Sequence, residues 1–269
     1  MQGILTGKTG IITGALDEQS IAWKVALKAH EQGAKIILSN APVALRMGTI
    51  HTLAEQCSAP VVGADATSQQ DVENLFDEAM NHAGGQIDFV LHSIGMSPNV
   101  RKGKHYTNLN YDWYQKSLDI SALSFHRMLQ VAYQKDAIKQ WGSVVGLSYI
   151  AAQRTFPDYG DMADAKAVLE SIARGFGYHY GKKNQVRVNT ISQSPTKTTA
   201  GSGVGGFDAF FDYADKMSPL GNASADDCAN YCISLFSDLT KMVTMQNLFH
   251  DGGFSSTGIS ADLMEKFVS

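Results

Sequence analysis

Leu147–Glu170 reads LSYIAAQRTFPDYGDMADAKAVLE, and it joins an apolar run, Val144–Leu147, to a long helical pattern. The run has few polar positions, as a strand buried on both faces of a parallel sheet requires. Tyr149 follows directly, at the C-terminal end of that strand, the edge where open α/β sheets bind ligands. Tyr159 and Lys166 stand seven residues apart at what reads as the start of the helix. At about 100° per residue, seven steps fall within roughly 20° of two full turns. The spacing therefore predicts a phenol and an ammonium on one helical face, about 10 Å apart along the axis. Alone, such a pair is ordinary surface decoration, so its weight depends on the rest of the chain.

Outward from this junction, strands and helices alternate. Short β-rich runs occupy Lys8–Thr13, Lys35–Leu38, Pro60–Ala64, Ile87–His92, Ser143–Leu147, Val186–Ile191 and Met245–Phe249. Helical periodicity covers Ser20–Gly33, Asp71–His82, Tyr111–Tyr133, Asp161–Tyr180 and Asp226–Phe236, and His51–Cys57 closes a further helix. The alternation predicts an α/β fold: a single-domain, Rossmann-like, doubly wound parallel sheet of about seven strands with helices on both faces. No Pro- or Ser-rich linker and no internal repeat divides residues 1–269.

Composition sets the limits. The 269 residues are 44% hydrophobic and 18% charged, as expected of a globular chain with a sizeable core. A net charge of −4 argues against general nucleic-acid binding. No apolar run is long enough to span a bilayer, and MQGILTGKTGIITG lacks the pattern of a signal peptide, so a cytoplasmic protein is expected. Cys57, Cys228 and Cys232 form no paired CxxC motifs. Cys228 and Cys232 are one helical turn apart and read as core, with no metal site expected.

The first strand–helix junction, Thr13–Ala22 (TGALDEQSIA), carries a possible phosphate site. Gly14 leaves the strand where a turn without a Cβ is needed. Ser20 is placed to cap the helix, whose N-terminus attracts a pyrophosphate through free N–H groups and the dipole. The G-x-G-x-x-G fingerprint is absent, and an ordinary βα turn is the competing reading. After the third strand, Asp65-Ala66 offers a carboxylate to an adenine amino group. After the fourth, His92-Ser93-Ile94-Gly95 offers small residues along which a flat ring can approach the backbone. His92 reads as a satisfied strand-end histidine, and Asp119 as structural.

In this order and spacing, the motifs resemble the short-chain dehydrogenase/reductase superfamily, and within it the bacterial enoyl-acyl-carrier-protein reductases of type II fatty-acid synthesis. Gly14 with Ser20-Ile21-Ala22 resembles the modified dinucleotide fingerprint of that subgroup. His92–Gly95 resembles its HSI(G/A) segment, and Asp251–Phe254 its closing DGGF. Tyr149, Tyr159, Met162 and Lys166 resemble its Y-x9-Y-x2-M-x3-K pattern, and Pro195 with Thr198 its P-x-x-T. Asp119-Ile120-Ser121 stands where ordinary superfamily members often place a catalytic asparagine. The resemblance implies catalysis by Tyr149, Tyr159 and Lys166. It implies cofactor contacts at Gly14, Ser20, Ile21, Asp65, Ala66, Ser93, Ile94, Gly95, Lys166, Pro195, Thr196 and Thr198. Substrate contacts are implied at Ser97, Tyr149, Tyr159, Met162 and Phe207.

Met162 separates this pattern from ordinary carbonyl reductases, which carry tyrosine four residues before the lysine. Methionine cannot donate a proton, and the phenol sits one turn earlier. That displacement suits an enoyl thioester, where hydride lands on the β-carbon and charge collects on an oxygen further away. Tyr159 is then the oxyanion donor, Lys166 holds the ribose hydroxyls, and Tyr149 either positions the acyl chain or relays a proton to C2. Ser39-Asn40-Ala41-Pro42 supplies neither an acid for a ribose 2′-OH nor a base for a 2′-phosphate, although Arg46 lies further on. NADH is the expected cofactor, with NADPH as the alternative. Residues 197–212 resemble the substrate lid, with Phe207, Phe210 and Phe211 as an apolar cover. Gly205-Gly206 is uncharged where some relatives carry basic residues thought to meet the acidic acyl carrier protein. Arg101, Lys102 and Lys104 either replace them or form a solvated charge run. Leu263, Met264 and Phe267 have helical spacing and suit packing on a neighbouring subunit, the resemblance implying a homotetramer. The competing functions are a carbonyl or alcohol dehydrogenase of the same fold and a non-catalytic dinucleotide sensor.

Overall fold

The computed structural model describes residues 3–199, 201 and 206–268, with side chains to 265. Seven strands form one parallel sheet: β1 (Thr9–Thr13), β2 (Lys35–Asn40), β3 (Val61–Gly63), β4 (Ile87–His92), β5 (Ile138–Ser148), β6 (Arg187–Gln193) and β7 (Asn247–His250). Their order is β3-β2-β1-β4-β5-β6-β7. Every neighbouring pair is parallel, so all loops that leave C-terminal strand ends gather along one edge. The order reverses between β1 and β4, which opens a crevice at that edge between the loops after Thr13 and His92.

The strands are apolar without alternation because both faces are covered. Ile12, Leu38, Leu91, Val145 and Ile191 meet α1 (Ile21–Glu31), α3 (Ile50–Cys57) and α10 (Ala225–Phe236) on one face. Ile11, Ile37, Val90, Val144 and Val188 meet α4 (Gln69–Ala83), α7 (Ser124–Gln134) and α8 (Gly160–Asn184) on the other. Neighbouring residues of one strand thus feed two cores.

Three elements depart from the sequence expectation. A short helix, α2 (Pro42–Met47), follows β2 and opens with proline at its first position, where the missing N–H costs nothing. β5 begins five residues before the expected strand start at Ser143, passing a register shift against β4 and a left-handed Trp141 at φ 65°. The expected single helix over Tyr111–Tyr133 is instead α6 (Tyr111–Leu118), a π turn at Asp119–Leu123, and α7. The widened turn lets the Ser121 hydroxyl meet the backbone N–H of Met96 at 3.0 Å. Two further helices, α5 (Pro98–Arg101) and α9 (Phe207–Met217), flank the crevice, and α11 (Ala261–Val268) ends the described chain. Among the described residues, no helix is long and apolar enough to cross a membrane, and no cluster of His, Cys, Asp or Glu is arranged to hold a metal ion.

Candidate active site

At the crevice floor, Gly14 takes φ +90°, and a Cβ there would stand 2.0 Å from the Ser93 carbonyl oxygen. The loops after β1 and β4 approach this closely only because that side chain is missing. Ser20 stands at the N-cap of α1, but against expectation its side chain makes no capping hydrogen bond. Its hydroxyl accepts from the N–H groups of Leu16 and Asp17, both at 3.1 Å. The turn is pinned, and α1 starts with no side-chain cap, so its first N–H groups face the crevice uncapped. Asp17 also accepts from Thr199 Oγ1 at 2.5 Å, which joins this turn to the segment after β6.

Asp65 is exposed. It accepts from the Thr67 N–H and hydroxyl through Oδ1, while the Ala66 carbonyl accepts from Arg127. Arg127 also pairs with Asp119 at 3.1 Å, a partner that the sequence did not reveal for this acid. Asn40 ends β2 and spends its amide on the Ala15 carbonyl and its oxygen on the Ala41 N–H, both at 2.9 Å. Arg46 is exposed in the last turn of α2.

Against the prediction from their spacing, Tyr159 and Lys166 do not lie on one continuous helix. Tyr159 ends a 3-10 turn, Pro157–Tyr159, and α8 begins only at Gly160. Gly160 takes φ 48°, ψ −138°, which breaks the continuous 3.6-residue path assumed between Tyr159 and Lys166. The rings of Tyr149 and Tyr159 pack instead against each other, with centroids 4.9 Å apart. The Tyr149 hydroxyl is buried with no hydrogen-bond partner among the described residues. Burial pushes both phenols well above the ordinary tyrosine range, so both keep their protons.

Lys166 is 7% exposed and donates to the Leu147 carbonyl at 2.7 Å. Burial lowers its ammonium to about 8, against the opposing charge of Glu170. Gly95 lies beside it: a Cβ there would stand 3.3 Å from Met162 Cε and 3.8 Å from Lys166 Nζ. Met162 is 8% exposed and its sulfur meets Ser121 Oγ at 3.5 Å, so it forms part of the floor. His92 is half satisfied. Ser124 donates to the Ile120 carbonyl, which leaves its oxygen to accept from His92 Nε2 at 2.8 Å. Nδ1 has no partner among the described residues, and burial with the nearby Lys166 charge lowers the imidazole to about 3.

Other expected residues fall differently. Ser97 turns its hydroxyl inward, donating to Asp161 at 2.5 Å and accepting from the Val100 N–H. A buried serine so committed has no O–H left to donate to a substrate. Pro195 is buried, and the Thr196 hydroxyl donates to Ser194. Thr198 accepts from the Gly201 N–H. Of the lid aromatics, Phe210 stacks edge-on against Phe156 at 5.1 Å and Tyr149 at 6.3 Å. Phe207 pairs with Phe211 at 6.0 Å, with no ring contact to the tyrosines among the described residues. Residues 200 and 202–205 of the expected lid, with Gly205, lie outside the described residues, as does the Phe267 side chain.

Sequence reasoning missed the acid beside the tyrosine. Asp161 is fully buried and accepts from Ser97, from Asn99 at 2.8 Å and from Ser117 at 2.8 Å. Its signal was an acid in the first turn of a helix, which reads as a dipole partner on any surface helix. Phe156, which carried no motif, and Phe254, the last residue of the DGGF segment, have rings 6.2 Å apart and extend the aromatic wall.

A pinned turn without a Cβ, a helix start without a side-chain cap and a buried lysine at the reversal point define the short-chain dehydrogenase/reductase class. The family model described as enoyl-(acyl carrier protein) reductase matches residues 14–255, and the chain belongs to that family. A curated relative, the enoyl-[acyl-carrier-protein] reductase [NADH] 1 of Rhizobium meliloti (strain 1021), is 33% identical over 96% of this chain and 94% of its own. Among solved structures, the FabI–NADH complex from Alistipes finegoldii is 65% identical, with a TM-score of 0.95 over 96% of this chain and 91% of that one. FabI from the same organism, at 60% identity, gives 0.93 over 100% and 98%.

Proposed function

We propose that the protein is an NADH-dependent enoyl-acyl-carrier-protein reductase of fatty-acid elongation, acting on the trans-2 double bond of enoyl thioesters. The observation that carries this reading is the Tyr149–Tyr159 pair at the end of β5, with buried Met162 and no phenol one turn before Lys166. The residues present fit a dinucleotide. Gly14 clears the backbone, α1 offers uncapped N–H groups to a pyrophosphate, and Gly95 leaves room beside Lys166. The nicotinamide supplies a hydride when bound. Lys166, with one N–H spent on Leu147, has two left for ribose hydroxyls. Asn40 at the end of β2 brings no positive charge to a 2′-phosphate, which favours NADH.

The protein's own work is electrostatic. Reduction at C3 gathers negative charge on the thioester oxygen, and Tyr159, held as a neutral phenol, donates a hydrogen bond to it. The ammonium of Lys166 biases the same site toward negative charge. Tyr149 lies against Tyr159 and positions the acyl chain or passes a proton toward C2. The aromatic wall of Phe156 and Phe210 excludes water and so strengthens these interactions. Residues 197–212 act as the lid, and Phe210, in place of Phe207, is its contact with the site. Arg101, Lys102 and Lys104, exposed on α5 and the loop after it, face an acidic carrier protein. We place the enzyme in the cytoplasm, as a homotetramer.

The test is spectrophotometric NADH oxidation with an enoyl-carrier-protein substrate. Tyr159→Phe is expected to lower kcat by a factor corresponding to about 2–4 kcal/mol, with KM changed little. Reduction of ketones in place of enoyl thioesters, or full activity in Tyr159→Phe, defeats the assignment.

A further inference from the structure

Glu170 is only 4% exposed, yet the chemistry above does not use it. It stands four residues after Lys166 on α8, one helical turn away on the same face. Its Oε1 accepts from Ser148 Oγ at 2.7 Å and its Oε2 from Gln153 Nε2 at 3.0 Å. Ser148 is the last residue of β5, immediately before Tyr149. Gln153 follows the 3-10 turn Ile150–Ala152 and begins the stretch that returns to Tyr159. Lys166 grips the neighbouring carbonyl, Leu147, at 2.7 Å. Successive turns of α8 therefore hold successive residues at the end of β5.

We propose that Glu170 is a positioning residue that fixes the Tyr149–Tyr159 segment through Ser148 and Gln153 and supplies the countercharge to Lys166. The proposal rests on the reading of Tyr159 and Lys166 as the working groups. Burying a carboxylate is costly unless it is paired or fully hydrogen-bonded. Both contacts made by Glu170 are donated to it, so it serves as an acceptor through both oxygens. Around Lys166, His92 on β4 is held neutral by burial, and so are the phenols Tyr149 and Tyr159 on the β5–α8 connection. Glu170 is the charge among the described residues that acts on the ammonium, and it acts to keep it protonated. Without it, the lysine would lose its proton at lower pH.

The experiment compares Glu170→Gln, Glu170→Asp and Gln153→Ala with wild type. It measures kcat and KM for an enoyl thioester across pH, NADH binding by fluorescence titration, and thermal unfolding. Glu170→Gln is expected to move the alkaline limb of kcat/KM to lower pH by about one unit. It also lowers kcat about tenfold through misplaced tyrosines, with NADH affinity kept within about twofold. Glu170→Asp retains the charge and so restores the limb without restoring kcat. Gln153→Ala, at an exposed position, lowers kcat and leaves the limb in place. A Glu170→Gln enzyme with wild-type kcat and pH profile overturns the proposal. So does a fall in kcat that tracks a fall in melting temperature while the limb stays fixed. If Glu170→Gln does not fold, unchanged kcat in Gln153→Ala overturns it. Full activity in Tyr159→Phe and Lys166→Ala instead defeats the underlying site, whatever Glu170 does.

Discussion

Lys166 sets activity and stability against each other. Burial holds its folded-state value near 8, below the ordinary 10.5. The unfolded chain thus binds more protons between those values, and stability rises with pH across that window by up to about 1.4 kcal/mol per unit. Activity moves the other way, because the ammonium is lost above about 8. The kcat/KM profile, which reports the free enzyme, is expected to show an alkaline limb near that pH, absent from Lys166→Ala. His92 gives the opposite experiment, on the acid side. Its folded value lies near 3 against an ordinary 6.5, so stability falls as pH drops below 6.5. Urea denaturation between pH 4 and 7 should show a steeper loss for wild type than for His92→Asn, which cannot titrate. Residue types at these positions were legible in the sequence. Their electrostatics were not, because burial of Lys166 and the pairing of His92 with Ser124, 32 residues away, belong to tertiary packing.

At the scale of elements, the turn at Gly160 governs the site. A Cβ there would stand 3.3 Å from Val100 Cγ2 in a backbone region that side chains rarely adopt. Gly160→Ala is expected to cost about 1–3 kcal/mol and to lower kcat, since Tyr159 immediately precedes it. NADH affinity should be nearly unchanged, because the β1–α1 turn is remote in sequence and separately pinned. Gly14→Ala predicts the reverse: a Cβ driven into the Ser93 carbonyl forces the two loops apart, and fluorescence titration should show NADH binding lost. The strand–helix alternation was readable because each strand is doubly buried and each helix carries one apolar stripe. The 3.6-residue argument failed at Tyr159, since a single glycine at positive φ resets the helical phase and a glycine directly before an acid looks ordinary in one dimension. The π turn was hidden likewise: the contact it allows, from the Met96 N–H to Ser121, spans 25 residues. Ser20 was correctly placed at a helix start but its hydroxyl turned the other way, toward the loop it closes.

For the whole molecule, the proposed homotetramer needs apolar surface to bury between copies, and exposed apolar residues are the places to test. Phe249 on the edge strand β7 is 43% exposed, and Leu220 and Ile259 are more exposed still. Tyr178 on α8 and Leu123 in the π turn lie open as well. Sedimentation should give about four times the 29.1 kDa of one chain, and charged substitutions at Phe249 and Ile259 should reduce it. The sequence could show that the sheet was parallel, but the strand order follows from which faces the crossovers take, which no local pattern records. That order, β3-β2-β1-β4-β5-β6-β7, bears on how the protein is made. As the chain emerges from the ribosome, β2 lands beside β1 and β3 beside β2. Each later strand then docks on the far flank, outward from β4. None has to be threaded between two partners already joined, so the sheet can grow by accretion from its middle while synthesis continues.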